Sequence, residues 1–408
     1  MAHWVEHVAT PCMRHTRLIF ALSTAFCPPL LNLRNEESGG IHFVGASSIG
    51  KTLALRVAGS VWGGGGISGF LRKWRSTVNG LELLAKSRCD SLLLLDEIVE
   101  ISAKDAAAAA YMLANGSGKK RLDRHGKLLP SHEWRILFLS SGEISLGNHL
   151  AESRESLKGG QFVRLVEIDA DAGCGFGIFN KLEDGIDAQL LADRLKRASN
   201  EFYGTPIDAF LKGILKDDSL HQKIDHYYKI FLEQVSPLLI SRQIRRVASR
   251  FALIAASGSI ASDLNILPLS HHHIIFAIKE CFESWAVTNS NHTDFETSKI
   301  LSQIRKYLQI NGCAQFPEWD GQSKPQFNGK CSGYRLLRRD QDVEWIILGE
   351  VFRNEIFRGF NLRKVIATLK SLNFLISSKN GKSSSAMRLP HFGPTRIYHL
   401  SGSILSEN

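Results

Sequence analysis

The run Gly45-Ala46-Ser47-Ser48-Ile49-Gly50-Lys51-Thr52 constrains this 408-residue chain more than any other stretch. Its glycines let the backbone close round a phosphate, so that N–H groups rather than side chains meet it. Lys51 then reaches the β- and γ-phosphates and Thr52 offers its hydroxyl to Mg²⁺. A helix opening at the end of the loop turns its positive end to the same charge. A short apolar run from Ile41 precedes the loop, and Thr52-Leu53-Ala54-Leu55-Arg56-Val57-Ala58 follows it, giving strand, loop and helix in that order. Residues Gly45 to Thr52 are therefore the expected ATP site, with Mg²⁺ as the second cofactor.

Leu92-Leu93-Leu94-Leu95-Asp96-Glu97 supplies the other half of such a site. A continuous apolar run of this length suits a strand buried on both faces of a parallel sheet, and this one delivers two carboxylates at its C-terminal end. Asp96 is expected to hold Mg²⁺, mostly through water. Glu97 is expected to orient or deprotonate the attacking water, which favours hydrolysis over phosphoryl transfer to a substrate. In the next strand's polar end, Ser140-Ser141-Gly142-Glu143, Ser141 is the candidate sensor of the γ-phosphate. Arg164 is a candidate arginine finger for a neighbour's site, with Arg154 as its rival and a surface ion pair as the alternative. Arg246 and Arg250, one helical turn apart, are candidates for a second phosphate sensor or for ordinary helix-face charge.

Further apolar runs at Trp134 to Leu139 and Phe162 to Ile168 alternate with helical stretches at 79–85 and 106–113. The alternation implies a three-layer α/β sheet. Beyond Gly173-Cys174-Gly175-Phe176-Gly177 the pattern turns helical, with candidates at 190–202, 207–215, 227–235, 242–256 and 274–285. Residues 286–294 are polar and read as a linker. From Phe295 to Asn408 there are 17 Lys and Arg against 9 Asp and Glu, so most of the formal charge of +10 sits there. That excess suits a polyanionic partner or a scattered solvated surface, and the rhythm of short helices and strands is that of a winged helix. The resulting division is a helical lead-in (1–40), an ATPase core (41–175), a helical region (176–290) and a basic C-terminal domain (295–408).

The seven cysteines show no paired spacing, which argues for reduced thiols in cytoplasm. The apolar stretch from Leu18 to Leu33 is broken by Pro28-Pro29 and reads as a buried helix, not a membrane span. His271-His272-His273 lacks a spaced Cys or carboxylate partner, so a metal site is not expected there. Gly116 to Lys127 carries five cations, Lys119, Lys120, Arg121, Arg124 and Lys127, against one acid. Gly at both ends suggests a hairpin that could grip a phosphate backbone without reading sequence.

The chain resembles a family of plasmid, phage and integrative-element primase–helicase proteins that carry a domain of unknown function, a branch of AAA+ ATPases close to superfamily-three helicases. The resemblance rests on the phosphate loop with Ser38-Gly39-Gly40-Ile41-His42-Phe43-Val44 before it, on 55–58 and 74–82, and on Leu95-Asp96-Glu97. Residues 111–116, 140–146 and 246–253 continue it. It implies an AAA+ core, a hexameric homo-oligomer that moves along or unwinds single-stranded or forked DNA, and the basic hairpin facing the channel. The chain begins almost at the ATPase core, so primase activity is not expected of it and would come from a separate partner. Ser140-Ser141 stands where superfamily-three relatives commonly place an asparagine sensor.

Overall fold

The computed structural model describes the whole chain except residues 67, 120, 123–127, 153–162, 184, 240, 328, 338–342, 377–382 and 406–408. It also leaves aside the side chains of 121, 122, 128, 129, 289–296, 298, 299 and 313. The described chain falls into two compact units, Met1–Ser290 and Asn291–Asn408.

The first unit is built on a parallel sheet of β1 (Gly39–Val44), β2 (Leu71–Lys73), β3 (Leu92–Asp96), β6 (Leu137–Gly142) and β7 (Leu165–Asp169), in the order β2-β3-β6-β1-β7. The four leucines of β3 divide by parity. Leu92 and Leu94 enter one hydrophobic core, Leu93 and Leu95 another, because successive strand side chains point to opposite faces. A strand apolar on both sides needs helices on both, and it has them.

One face is covered by α3 (Thr16–Phe26), α4 (Lys51–Trp62), α8 (Ala188–Glu201), α9 (Thr205–Ile214), α10 (Leu220–Gln234), α11 (Arg242–Asp263) and the start of α12 (His271–Gln315). The other is covered by α5 (Val78–Ser87), α6 (Ala103–Asn115) and α7 (Leu146–Glu152). Before them lie α1 (Ala2–Trp4), a π-helical turn (Val5–Ala9) and α2 (Thr10–Cys12). Trp4 is buried in the first core and donates from Nε1 to Ser60 Oγ at 2.9 Å. Segments 1–40 and 176–290 thus share one core with the sheet.

Between α6 and β6 the chain forms a hairpin of β4 (Arg121–Leu122) and β5 (Leu128–Leu129). Its stem continues down to Ser117 opposite Glu133. Gly116 closes α6 in the left-handed region at φ 72°, where a Cβ is costly, and Trp134 pins the other side by donating to the Leu113 carbonyl at 3.0 Å.

The second unit carries the sheet β11-β12-β10-β9-β8, made of β8 (Glu318–Trp319), β9 (Gly333–Leu337), β10 (Val343–Leu348), β11 (Ser385–Leu389) and β12 (Gly393–Ser401). Between β10 and β11 lie α13 (Gly349–Val351), a π-helical turn (Phe352–Ile356) and α14 (Leu362–Ser371), which is capped by Asn361. The expected linker at 286–294 is helical, lying within α12, and the division between the two units, at Ser290 and Asn291, falls inside it. Polarity does not by itself stop a helix that lacks Pro or Gly.

No single helix among the described residues is long and apolar enough to cross a membrane. The apolar α3 is buried along its whole length. Six cysteines are free thiols among the described residues.

Candidate functional site

The loop 45–50 leaves β1 at the C-terminal edge of the sheet and runs straight into α4. Gly45 (φ 152°) and Gly50 (φ 104°) hold backbone that an L side chain rarely adopts, and a Cβ on Gly50 would meet Ile178 at 2.4 Å. The turn after β7 buttresses the loop from beneath, with Ile178 N donating to the Ile49 carbonyl at 2.8 Å. Arg17 of α3 ties that turn down through the carbonyls of Asp169 and Asp171, at 3.0 and 3.2 Å. Ala46, Ser47 and Ser48 remain exposed. Lys51 Nζ folds back over the loop, donating to the carbonyls of Gly45 and Ala46 at 2.8 and 2.5 Å. The result is a short cradle of backbone with a cation across its mouth, a fit for a polyphosphate.

Asp96 ends β3 beside this cradle and is almost wholly buried. Its Oδ1 accepts from Thr52 Oγ1 at 3.1 Å and from Ser141 Oγ at 2.5 Å, while Oδ2 lies 3.3 Å from Lys73 Nζ. Strand pairing explains the gathering: Lys73 of β2 stands opposite Asp96, and β6 brings Ser141 alongside β3. A carboxylate and a hydroxyl held this close offer the hard oxygen ligands that Mg²⁺ takes. Glu97 follows in the left-handed region, at φ 61°, with its N–H donating to Ser141 Oγ at 3.2 Å. Burial, then the neighbouring Asp96, raises the pKa of its carboxyl, which Lys73 and Lys51 oppose.

Lys73 was not among the residues expected from sequence. Its signal was available only as a cation at the end of a short strand, and the parallel pairing that sets it on Asp96 is a tertiary fact. It also bridges to Glu100 at 3.3 Å.

One register step below lies a polar row, with buried Ser140 and His42 and partly buried Glu167 side by side across β6, β1 and β7. Trp74 Nε1 donates to Ser140 Oγ at 2.8 Å, and His42 Nδ1 lies 2.8 Å from the same oxygen. With Trp74 as donor, the serine hydroxyl turns to His42 Nδ1, and His42 Nε2 donates to the Ile144 carbonyl at 3.2 Å. Burial, aided by Lys51, lowers His42 to about 4 and keeps it neutral. Burial also raises Glu167 to about 7, against the 2.6 Å hydrogen bond it accepts from Leu146 N.

The remaining expected residues lie elsewhere. Arg250 packs its guanidinium against Gly39 at the start of β1 and donates to the Val163 carbonyl at 3.1 Å, and Arg246 is ion-paired with Glu37. The loop leaves the other end of β1, on the order of 16 Å along the strand. Arg246 is therefore not brought to the loop of its own chain, which corrects its assignment as a phosphate sensor there. Arg164 also lies at the N-terminal end of the sheet, stacked over Tyr111 at 4.3 Å and donating to Asn115 Oδ1 at 3.0 Å. Lys119 is exposed on the hairpin stem. Lys120, Arg124, Lys127, Arg154 and the side chain of Arg121 lie outside the described residues. His271 pairs with Asp263 at 2.8 Å, and the three adjacent histidines do not converge on one point.

Comparison with known proteins places these observations. The family described as "Domain of unknown function (DUF927)" matches residues 1–132. Among solved structures the chain is similar to "SCCmec type IV Cch - active helicase", at 19% identity and a TM-score of 0.68, covering 100% of this chain and 70% of that one. The fold is therefore shared with a protein described as an active helicase. No curated protein matches.

Proposed function

We propose that this chain is an ATP-hydrolysing DNA helicase or translocase of a mobile-element replication system, acting as a hexameric ring of AAA+ modules. The observation that carries the reading is Asp96, buried beside the loop and joined to Thr52, Ser141 and Lys73, with Glu97 next to it. The residues fit ATP and Mg²⁺: Gly45 to Lys51 would hold the phosphates, and Thr52 and Asp96 the ion. When bound, Mg²⁺ would neutralise charge developing on the transferred phosphoryl group. Glu97 orients and deprotonates water, helped by the raised pKa of its carboxyl. Ser141 links the two carboxylate residues, so a change at the phosphates can reach Glu97 through one hydroxyl. Arg164, at the sheet end away from its own loop, can act only on a neighbour's site, as an arginine finger does.

The sheet order, with β6 between β3 and β1, supports the AAA+ reading, as does the hairpin inserted just before β6. That hairpin supplies the cations for a DNA backbone. The fold likeness to a protein described as an active helicase adds support.

The test is ATPase activity with and without single-stranded DNA. We expect stimulation by DNA that weakens steeply with salt, as phosphate contacts require. Hydrolysis indifferent to DNA would sink the reading.

One observation favours a second reading, an ATP-gated initiator or regulator that binds DNA without unwinding it. In the second unit, β10, α13, α14 and the β11–β12 pair follow one another as in a winged helix, with Arg363 and Lys364 exposed on α14. Sequence-specific duplex binding by a chain that fails to unwind a fork would favour it.

A further inference from the structure

The helical segment 2–12 turns one face into the core and leaves another in solvent. Trp4, Val8 and Ala9 are buried, while His3, Glu6 and His7 are all exposed. The spacing i, i+3, i+4 sets these three side chains on one helical face. Their ligand atoms lie within 4.8 Å of one another. Phe202, at the end of α8, stacks on both imidazoles, with ring centroids 5.5 Å from His3 and 5.2 Å from His7. The two imidazoles are themselves parallel, 3° apart in plane.

We infer that His3, Glu6 and His7 form a binding site for a divalent transition-metal ion of the zinc class, separate from the phosphate loop. Two imidazoles and a carboxylate are a donor set that Zn²⁺ takes, and three protein ligands leave a position open. Closing from the present spacing to a zinc-like separation, roughly 3.3 Å between nitrogens, asks only for side-chain rotation. The backbone beneath is fixed by the Trp4 to Ser60 hydrogen bond, so the helix need not form on binding. Glu6 and His7 also line a cavity of about 580 Å³ together with Arg14, Arg194 and Arg197, a source of water or a small anion to complete the coordination. His271 offers a contrast. Its Nε2 already engages Asp263, and its neighbours His272 and His273 meet edge to face.

The experiment is calorimetric titration of Zn²⁺ into the tag-free, metal-stripped full chain, with Co²⁺ absorption as a report on the ligands. We expect one equivalent to bind. Its affinity should fall at least tenfold in a His3→Ala, His7→Ala double variant and by a smaller factor in Glu6→Gln. Zn²⁺ should also raise the thermal midpoint of the wild type but not of the double variant. Should the double variant not fold, Glu6→Gln decides, because it keeps the shape of the side chain and removes the charge. Absence of binding, or equal affinity in wild type and variants, would overturn the proposal. ATPase activity plays no part in the readout, so this site and the proposed motor function stand or fall separately.

Discussion

Glu97 occupies a backbone conformation that a non-glycine residue adopts at a cost of about 1–3 kcal/mol. Such strain persists only where the surroundings impose it, and here they do: β3 ends at Asp96, and Ser141 Oγ receives the Glu97 N–H. Its half-buried carboxyl, pushed up in pKa by burial and by Asp96, is suited to take a proton from water. Replacing it with glutamine keeps the shape and removes the base. For Glu97→Gln we expect ATP binding to persist, the oligomer to be stabilised, and turnover to fall by about 10² or more. Nucleotide binding and steady-state hydrolysis on the same preparation check this, and unaltered hydrolysis would refute the role of Glu97.

At the scale of elements, the sheet carries ionisable groups where most sheets carry only apolar ones. Glu167, on β7, is shifted up to about 7 in the folded chain against an ordinary 4.5, so it stays protonated when folded while the unfolded chain ionises. Between pH 4.5 and 7 the folded state binds more protons, and stability falls as pH rises through that window. His42, lowered to about 4, acts oppositely: the unfolded chain binds the proton first, and stability falls as pH drops below 6.5. Glu167→Gln isolates the first effect, because His42 is common to both proteins. Relative to wild type, the variant should be more stable at pH 8 than at pH 5 by roughly 2–3 kcal/mol. Denaturant unfolding at the two pH values measures the difference, and an equal difference at both would place the Glu167 charge elsewhere.

At the scale of the whole molecule, the phosphate loop and Arg164 sit at opposite ends of one parallel sheet. In a single chain they cannot cooperate; in the proposed ring each chain would lend its arginine to the next. Arg164→Ala and Lys51→Ala should each be inactive alone. Mixed, they should recover a measurable fraction of wild-type ATPase, since some interfaces pair an intact loop with an intact arginine. An inactive mixture, with co-assembly verified, would remove Arg164 from the site. The basic hairpin leaves the sheet at the same end as Arg164.

Local physics wrote several features into the sequence. The glycines and lysine of 45–52 can serve few backbones, and a run of four leucines ending in two acids can hardly be anything but a strand buried on both faces. The alternation of strand and helix followed from those patterns, as did a hairpin in the stretch Gly116 to Lys127. The register of parallel strands left no mark of its own. Pairing across β2, β3 and β6 put Lys73 and Ser141 on Asp96, residues 23 and 45 positions away in the chain. Packing of α11 against the start of β1 took Arg246 away from the loop that its spacing alone had allowed it to reach. The same holds for His3, Glu6 and His7: one helical face set their spacing, but Phe202 reaches them only because α8 folds back on the segment. Spacing along a chain constrains what one element can present, whereas the distance between elements belongs to the core that packs them.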